Sequence, residues 1–298
     1  MKSPLLLPLP GNETLAAAIA AAGAGDVGAL DIHRFPDGES LVRLETPVAQ
    51  RDVCFVCSLD SPDTRILPLL FAADAARDLG AASVGVIAPY LAYLRQDRRF
   101  HDGEAISSRP FARLLSSAFD WLVTVDPHLH RYHSLDDVYA IPGIALHAGN
   151  VIATWMRANV PDALVIGPDS ESEQWVADVA QGAGMPYAVC SKIRSGDTDV
   201  EITLPDIEQH RGRQPVLVDD IASSGRTLAA AAQALMMKGF AKPDVVIVHP
   251  LFAGASFNIV SQVVRGVIST NTIAHRSNRI NVAPLIADAI GGLRANRD

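Results

Sequence analysis

The chain lacks an excess of positive charge. Its 298 residues carry a formal net charge of -8, which argues against a sequence-independent grip on nucleic-acid phosphates. Basic clusters are local, as in RQDRR from Arg95 and RGR from Arg211, and suit small anionic ligands. Cysteine is scarce, with only Cys54, Cys57 and Cys190, so no disulfide framework is expected and the compartment reads as the cytosol. Cys54 and Cys57 have the C-x-x-C spacing but sit in DVCFVCSL, an apolar run that reads as a strand. Their thiols would point to opposite faces, and no second pair follows to complete a zinc site, so buried core thiols are expected. No uninterrupted apolar run is long enough to span a bilayer. The prolines of MKSPLLLPLPGNE interrupt the N-terminal one, so a soluble protein is expected, without a membrane partner. There is no low-complexity tract, no long linker, and no G-x-x-x-x-G-K-[ST] phosphate loop.

What is present is a regular alternation in a composition 49% hydrophobic and 19% charged. Strand-like runs (DVCFVCSL, ASVGVIAPYL, WLVTVDPH, DALVIGPD, PYAVC, PVLVDD, PDVVIVHPLF, RGVIST) alternate with helix-length, alanine-rich stretches such as ILPLLFAADAARDLG and ESEQWVADVAQGAG. In the latter, Trp175, Val176, Val179 and Ala180 share one helical face. This order predicts α/β architecture, each sheet mostly parallel and flanked by helices. It occurs in two rounds with a break near residues 141–150. Two tandem domains are therefore expected: 1–145, joined by the tail 280–298, and 146–279.

The most informative stretch is VLVDDIASSGRTL. An apolar strand runs into Asp219 and Asp220, two adjacent carboxylates that repel and are costly to desolvate unless something meets them. Ligands of open α/β sheets bind beyond the carboxyl ends of the strands. The loop through Ser223, Ser224, Gly225, Arg226 and Thr227 then opens a helix, whose backbone N–H groups and hydroxyls can cradle a phosphate. Paired acids beside such a cradle suit the hydroxyls of a phosphorylated ribose or Mg²⁺.

This stretch resembles the phosphoribosyl pyrophosphate (PRPP) motif, and PYLAYLRQDRRFHDGEAISSRPFARLL resembles the signature of ribose-phosphate diphosphokinases, the PRPP synthetases. The resemblance runs from about residue 30 to the end and implies two type I phosphoribosyltransferase-like domains. It implies ATP contacts at Arg95 and Gln96, and at Phe35, Asp37 and Glu39 of RFPDGESLVRL, the latter three reaching a neighbouring subunit's adenine pocket. It implies ribose 5-phosphate binding by Asp219, Asp220 and residues 223–227, and Mg²⁺ near His128 of TVDPHLHRYH and Asp169 of VIGPDSESEQW. Lys192 and Arg194 of AVCSKIRSGDTDVEI match a catalytic lid pair whose charges would stabilise the transferred diphosphoryl group on closure. It further implies a homo-oligomer of dimers, commonly hexameric. The implied reaction converts ATP and ribose 5-phosphate to PRPP and AMP. Three features depart from the family pattern: Ser223 stands at a commonly acidic position, Arg226 at a glycine, and Ser170–Ser172 where glycines are usual. Other readings are a PRPP-using phosphoribosyltransferase, which would share the acid pair but not need RQDR, a non-catalytic synthetase-associated regulatory protein, and a nucleotide-binding sensor.

Overall fold

A computed structural model describes residues 2–195 and 199–295, the side chains of 192–201, 294 and 295 excepted. The chain divides into two compact units, one of residues 1–146, 272–274 and 283–298, the other of 147–271 and 275–282.

In the first unit the strands are β1 (Leu5–Pro8), β2 (Asp26–Val27), β3 (Leu30–Arg34), β4 (Ser40–Leu44), β5 (Asp52–Val56), β6 (Ser83–Ile87), β7 (Trp121–Val125) and β8 (Gly143–Leu146). Helices α1 (Glu13–Ala21), α2 (Pro62–Asp78) and α3 (Ser108–Ala118) are interleaved with them. Six strands form a parallel sheet ordered β2-β1-β5-β6-β7-β8, while β3 and β4 form a separate antiparallel hairpin. Every residue of β6 and β7 is buried, the pattern of strands covered on both faces, which explains why they read as continuous apolar runs. Gly85 in β6 is forced by packing: an added Cβ would lie 2.0 Å from the Trp121 ring.

The second unit holds α4 (Gly149–Asn159), β9 (Ala163–Gly167), α5 (Glu173–Ala183), β10 (Tyr187–Val189), β11 (Ser191–Ser195), β12 (Asp199–Thr203) and β13 (Gln214–Ala222). It continues through α6 (Arg226–Met237), β14 (Asp244–Pro250), α7 (Ser256–Val263), β15 (Gly266–Thr270) and β16 (Asn278–Ile280), after which α8 (Ala283–Ala295) belongs to the first unit and packs on α1. Its parallel sheet is ordered β10-β9-β13-β14-β15-β16, again with a separate hairpin, β11–β12. The two units thus repeat one plan, with the hairpin packed on the helix after the third strand in spatial order, β4 on α2 and β12 on α6. On α5 the buried residues are Val176, Val179, Ala180 and Ala183, with Gly184 left-handed at the C-terminus (φ 69°). Trp175, expected on the same face, is only partly buried.

Residues 272–274 group with the first unit although the sequence expectation assigns all of 146–279 to the second. The Ser58 hydroxyl donates to the Thr272 carbonyl there, a contact between residues far apart in sequence. None of the three cysteines forms a disulfide and all are buried. Burial pushes the thiols of Cys57 and Cys190 up to about 12, which marks them as inert core groups. Among the described residues no helix is long and apolar enough to cross a membrane.

Candidate functional site

The apolar half of β13, Pro215–Val218, is buried between β9 and β14. The strand does not stop at the acid pair; pairing continues through Ile221 with His249 and Ala222 with Pro250. Asp219 and Asp220 are therefore held on rigid backbone at the carboxyl edge of the sheet, each half-buried. The Asp220 N–H donates to Asp219 Oδ1 at 3.0 Å. Burial raises the Asp219 carboxyl well above the ordinary carboxylate range, and the charges of Asp220 and Asp169 raise it further. A site whose neighbours are other carboxylates favours protonation, or a cation or hydroxyl donor arriving from outside.

Beyond Ala222 the chain turns through Ser223 and Ser224 to Gly225, whose φ of 69° is left-handed. An added Cβ at Gly225 would lie 2.5 Å from Val260 Cγ2 on α7, so glycine is required here for both backbone and space. The turn is backed by two main-chain bonds, Phe252 N–H to Ala222 O at 2.8 Å and Ala253 N–H to Ser223 O at 3.1 Å. Phe252 itself has a positive φ of 38°, and its ring packs with Phe257 and His275 at centroid distances of 5.2 and 5.3 Å. Ser224 and Arg226 are exposed, Ser223 and Thr227 half-buried. The first turn of α6 thus places a helix N-terminus and the Ser223, Ser224 and Thr227 hydroxyls next to the acids, with the Arg226 N–H donating to Ser224 Oγ at 3.5 Å; a helix start of this kind suits a phosphate.

Asp169 follows β9 and caps a short 3₁₀ turn over Ser170–Ser172, accepting from Glu171 N–H at 3.2 Å. The Ser172 hydroxyl donates to the Asp169 carbonyl at 2.6 Å. Ser170–Ser172 therefore build a turn closed on Asp169. Lys192 and Arg194 fall on β11, in register with Ile202 and Val200 of β12; their side chains lie outside the described residues.

In the first unit, Phe35, Asp37 and Glu39 occur together at the tip of the β3–β4 hairpin, all exposed. The tip is closed by Phe35 N–H to Glu39 O at 2.8 Å and Gly38 N–H to Phe35 O at 2.9 Å. Asp37 Oδ1 accepts from Glu39 N–H at 3.1 Å, and the Phe35 ring meets His33 edge-on at 4.6 Å. The hairpin is anchored by a defect in α2. Pro68 lies inside that helix and has no N–H for the carbonyl four residues earlier, Thr64. Arg34 Nη2 donates to that carbonyl at 3.1 Å.

Arg95 and Gln96 are exposed on the loop after β6, which follows the buried run Tyr90–Ala92 and a left-handed Tyr93 (φ 63°). Further along, the Arg98 guanidinium lies 4.7 Å above the Phe100 ring. Glu104 folds back to accept from the backbone of Phe100 and His101 at 2.7 and 3.0 Å. The His101 ring, the larger influence, and these N–H groups hold Glu104 down to about 2. His128 is half-buried on the loop after β7, two residues past Asp126 with its φ of 36°, and its ring is 6.0 Å from that of His130.

Among the described residues no three His, Cys, Asp or Glu converge as a ready-made metal cage. Mg²⁺ does not require one: it is commonly held by one or two carboxylates with substrate phosphates and water completing the shell. The oxygen-rich surroundings of Asp219, with Asp220 and Asp169 acting on it, fit such an ion. Sequence reasoning passed over Arg34, Asp97 and Arg131, whose partners lie 30 and 34 positions away in the chain, and no local pattern marks such a contact.

The N-terminal domain of ribose phosphate pyrophosphokinase matches residues 5–118, and the phosphoribosyl transferase domain matches residues 134–265. A ribose-phosphate pyrophosphokinase of Methanopyrus kandleri is 34% identical over 272 residues, covering 90% of this chain and 92% of that protein. One from Halobacterium salinarum is 33% identical over 289 residues, covering 96% and 100%. The crystal structure of a phosphoribosylpyrophosphate synthetase from Mycobacterium smegmatis superposes with a TM-score of 0.84 at 25% identity, covering 98% of this chain and 99% of the other.

Proposed function

This chain belongs to the ribose-phosphate pyrophosphokinase family, enzymes that make PRPP, and from that premise we propose that it transfers the diphosphoryl group of ATP to O1 of ribose 5-phosphate. O1 attacks the β-phosphorus, the bond from that phosphorus to the α,β-bridging oxygen breaks, AMP leaves, and the O1 proton passes to solvent. Asp219 and Asp220 accept hydrogen bonds from the ribose hydroxyls, and the turn from Ser223 to Thr227 with the first turn of α6 binds the 5-phosphate. Arg95 and Gln96 bind ATP, with Phe35, Asp37 and Glu39 serving the adenine pocket of a partner subunit. Lys192 and Arg194 stabilise charge on the transferred group. Asp169 and His128 are the metal-associated groups; when bound, Mg²⁺ supplies charge neutralisation on phosphate oxygens. The enzyme would work in the cytosol as a dimer-based homo-oligomer, of which a hexamer is one form.

The observation that carries this reading is Asp219. With Asp220 it stands on the carboxyl edge of the sheet at the end of a buried strand, directly before a helix N-terminus opened by a left-handed glycine, where ligands of parallel α/β sheets bind.

The test is incubation with ribose 5-phosphate, Mg²⁺ and ATP, with AMP and PRPP measured together. Equimolar AMP and PRPP are expected; PRPP consumption with a nucleobase but no AMP from ATP would identify a phosphoribosyltransferase. Lys192→Ala is expected to lower turnover by about 10²-fold or more, the usual scale for groups aimed at transition-state charge. A loss below about tenfold would remove Lys192 from the catalytic set.

A further inference from the structure

Between Arg95 and Gln96 on one side and Arg98 to Phe100 on the other, all exposed, Asp97 is buried, its side chain only 1% accessible. A carboxylate at such depth needs a partner. Arg131 provides it from a different loop, donating through Nη1 to Oδ1 at 2.8 Å and to Oδ2 at 2.9 Å. The adjacent residue makes a second tie: the Tyr132 hydroxyl bonds the buried Ser108 hydroxyl at 3.0 Å, and the Ser108 N–H bonds the Gln96 carbonyl at 3.3 Å. The segment that carries His128 thus holds Asp97 directly and reaches the Gln96 carbonyl by way of Ser108.

We infer that Arg131 is a positioning residue for nucleotide binding: its hold on Asp97 fixes the loop presenting Arg95 and Gln96 and ties it to the loop bearing His128. The inference rests on the proposed roles of Arg95, Gln96 and His128. Arg95 and Gln96 are exposed between two buried residues, Leu94 and Asp97, and of these two Asp97 is the one held by an ion pair from another loop. Arg131 itself has 36% of its side chain exposed and is not among the buried hydrophobic residues of the core.

The test uses the full-length protein as wild type, Arg131→Met, Arg131→Lys and the double variant Asp97→Asn/Arg131→Met, which leaves no buried orphan charge. Amide hydrogen exchange over 95–106 and initial rates with ATP and ribose 5-phosphate varied separately are the readouts. Arg131→Met is expected to speed exchange over 95–106 by about fivefold or more and to raise KM for ATP about tenfold, with KM for ribose 5-phosphate within about twofold of wild type. Arg131→Lys, which keeps a donor but only a point charge, should recover part of both effects. If Arg131→Met fails to fold, the double variant is expected to show the same two shifts. Unchanged exchange over 95–106, or an equal rise in both KM values, would overturn the inference. Faster exchange in a protein whose wild type yields no AMP from ATP would instead keep the tie between the loops and overturn the catalytic reading.

Discussion

Asp219, as a proposed ligand-binding residue, is where folding and binding would oppose each other. Its carboxyl is raised above the usual value of 3.8 in the folded chain, first by burial and then by Asp220 and Asp169. Between the unfolded and folded values the folded state holds the extra proton, so stability falls as pH rises through that window. Asp219→Asn removes the ionisation while keeping the shape. The ligand-free variant is therefore expected to melt higher than wild type at neutral pH, by about 2–4 °C for each kcal/mol relieved, and the difference should shrink toward pH 4. Mg²⁺ with ribose 5-phosphate should stabilise the wild type and not the variant. Melting curves across pH 4 to 8 with and without ligand measure both effects; parallel pH slopes would show that Asp219 is not the group responsible.

At the scale of elements, Gly225 joins β13 to α6. Gly225→Ala places a Cβ at φ 69° and within 2.5 Å of Val260 Cγ2, a combination expected to cost about 1–3 kcal/mol. Because the same turn is the proposed phosphate cradle, KM for ribose 5-phosphate should rise by more than KM for ATP. Denaturant unfolding and substrate titrations would check the two parts separately. The central strands of both sheets were legible because burial on two faces makes VCFV, SVGVI, LVTV and VVIV continuous apolar runs, whereas the short strands β2, β8 and β16 were not. The LLLP of β1 was not legible either, since three leucines between Pro4 and Pro8 read as an interrupted run. Its burial comes from parallel pairing with β5, a non-local fact. The side chains proposed for the site stand in local motifs, but the contacts that support them do not. The main-chain bonds from Phe252 and Ala253 that back the Ser223 turn carry no side-chain signature, and the Arg34 contact depends on an acceptor that Pro68 leaves over within α2.

For the whole molecule, the decisive property is whether one chain completes its own nucleotide pocket. If Phe35 and Glu39 serve a partner, a Lys192→Ala subunit and a Phe35→Ala/Glu39→Ala subunit are each inactive alone but complement one another. After dissociation and remixing in equal amounts, half the dimers are mixed and each has one intact site, so activity should return to about a quarter of wild type. Silent mixtures, with exchange verified by mass, would show that the hairpin serves its own chain.

The repeated sheet order carries a last consequence. In the first unit the strand corresponding to β13 is β5, and the backbone beyond it is bolted down: Ser58 N–H donates to the Asn12 side chain at 2.9 Å and the Ser58 hydroxyl to Thr272. In one copy of the plan the chain beyond this strand is tied to other segments by hydrogen bonds, while in the other the strand itself carries the adjacent carboxylates of Asp219 and Asp220. One strand order thus supports two different strand ends, a serine fastened to distant parts of its own unit in the first and two neighbouring acids held on a sheet edge in the second.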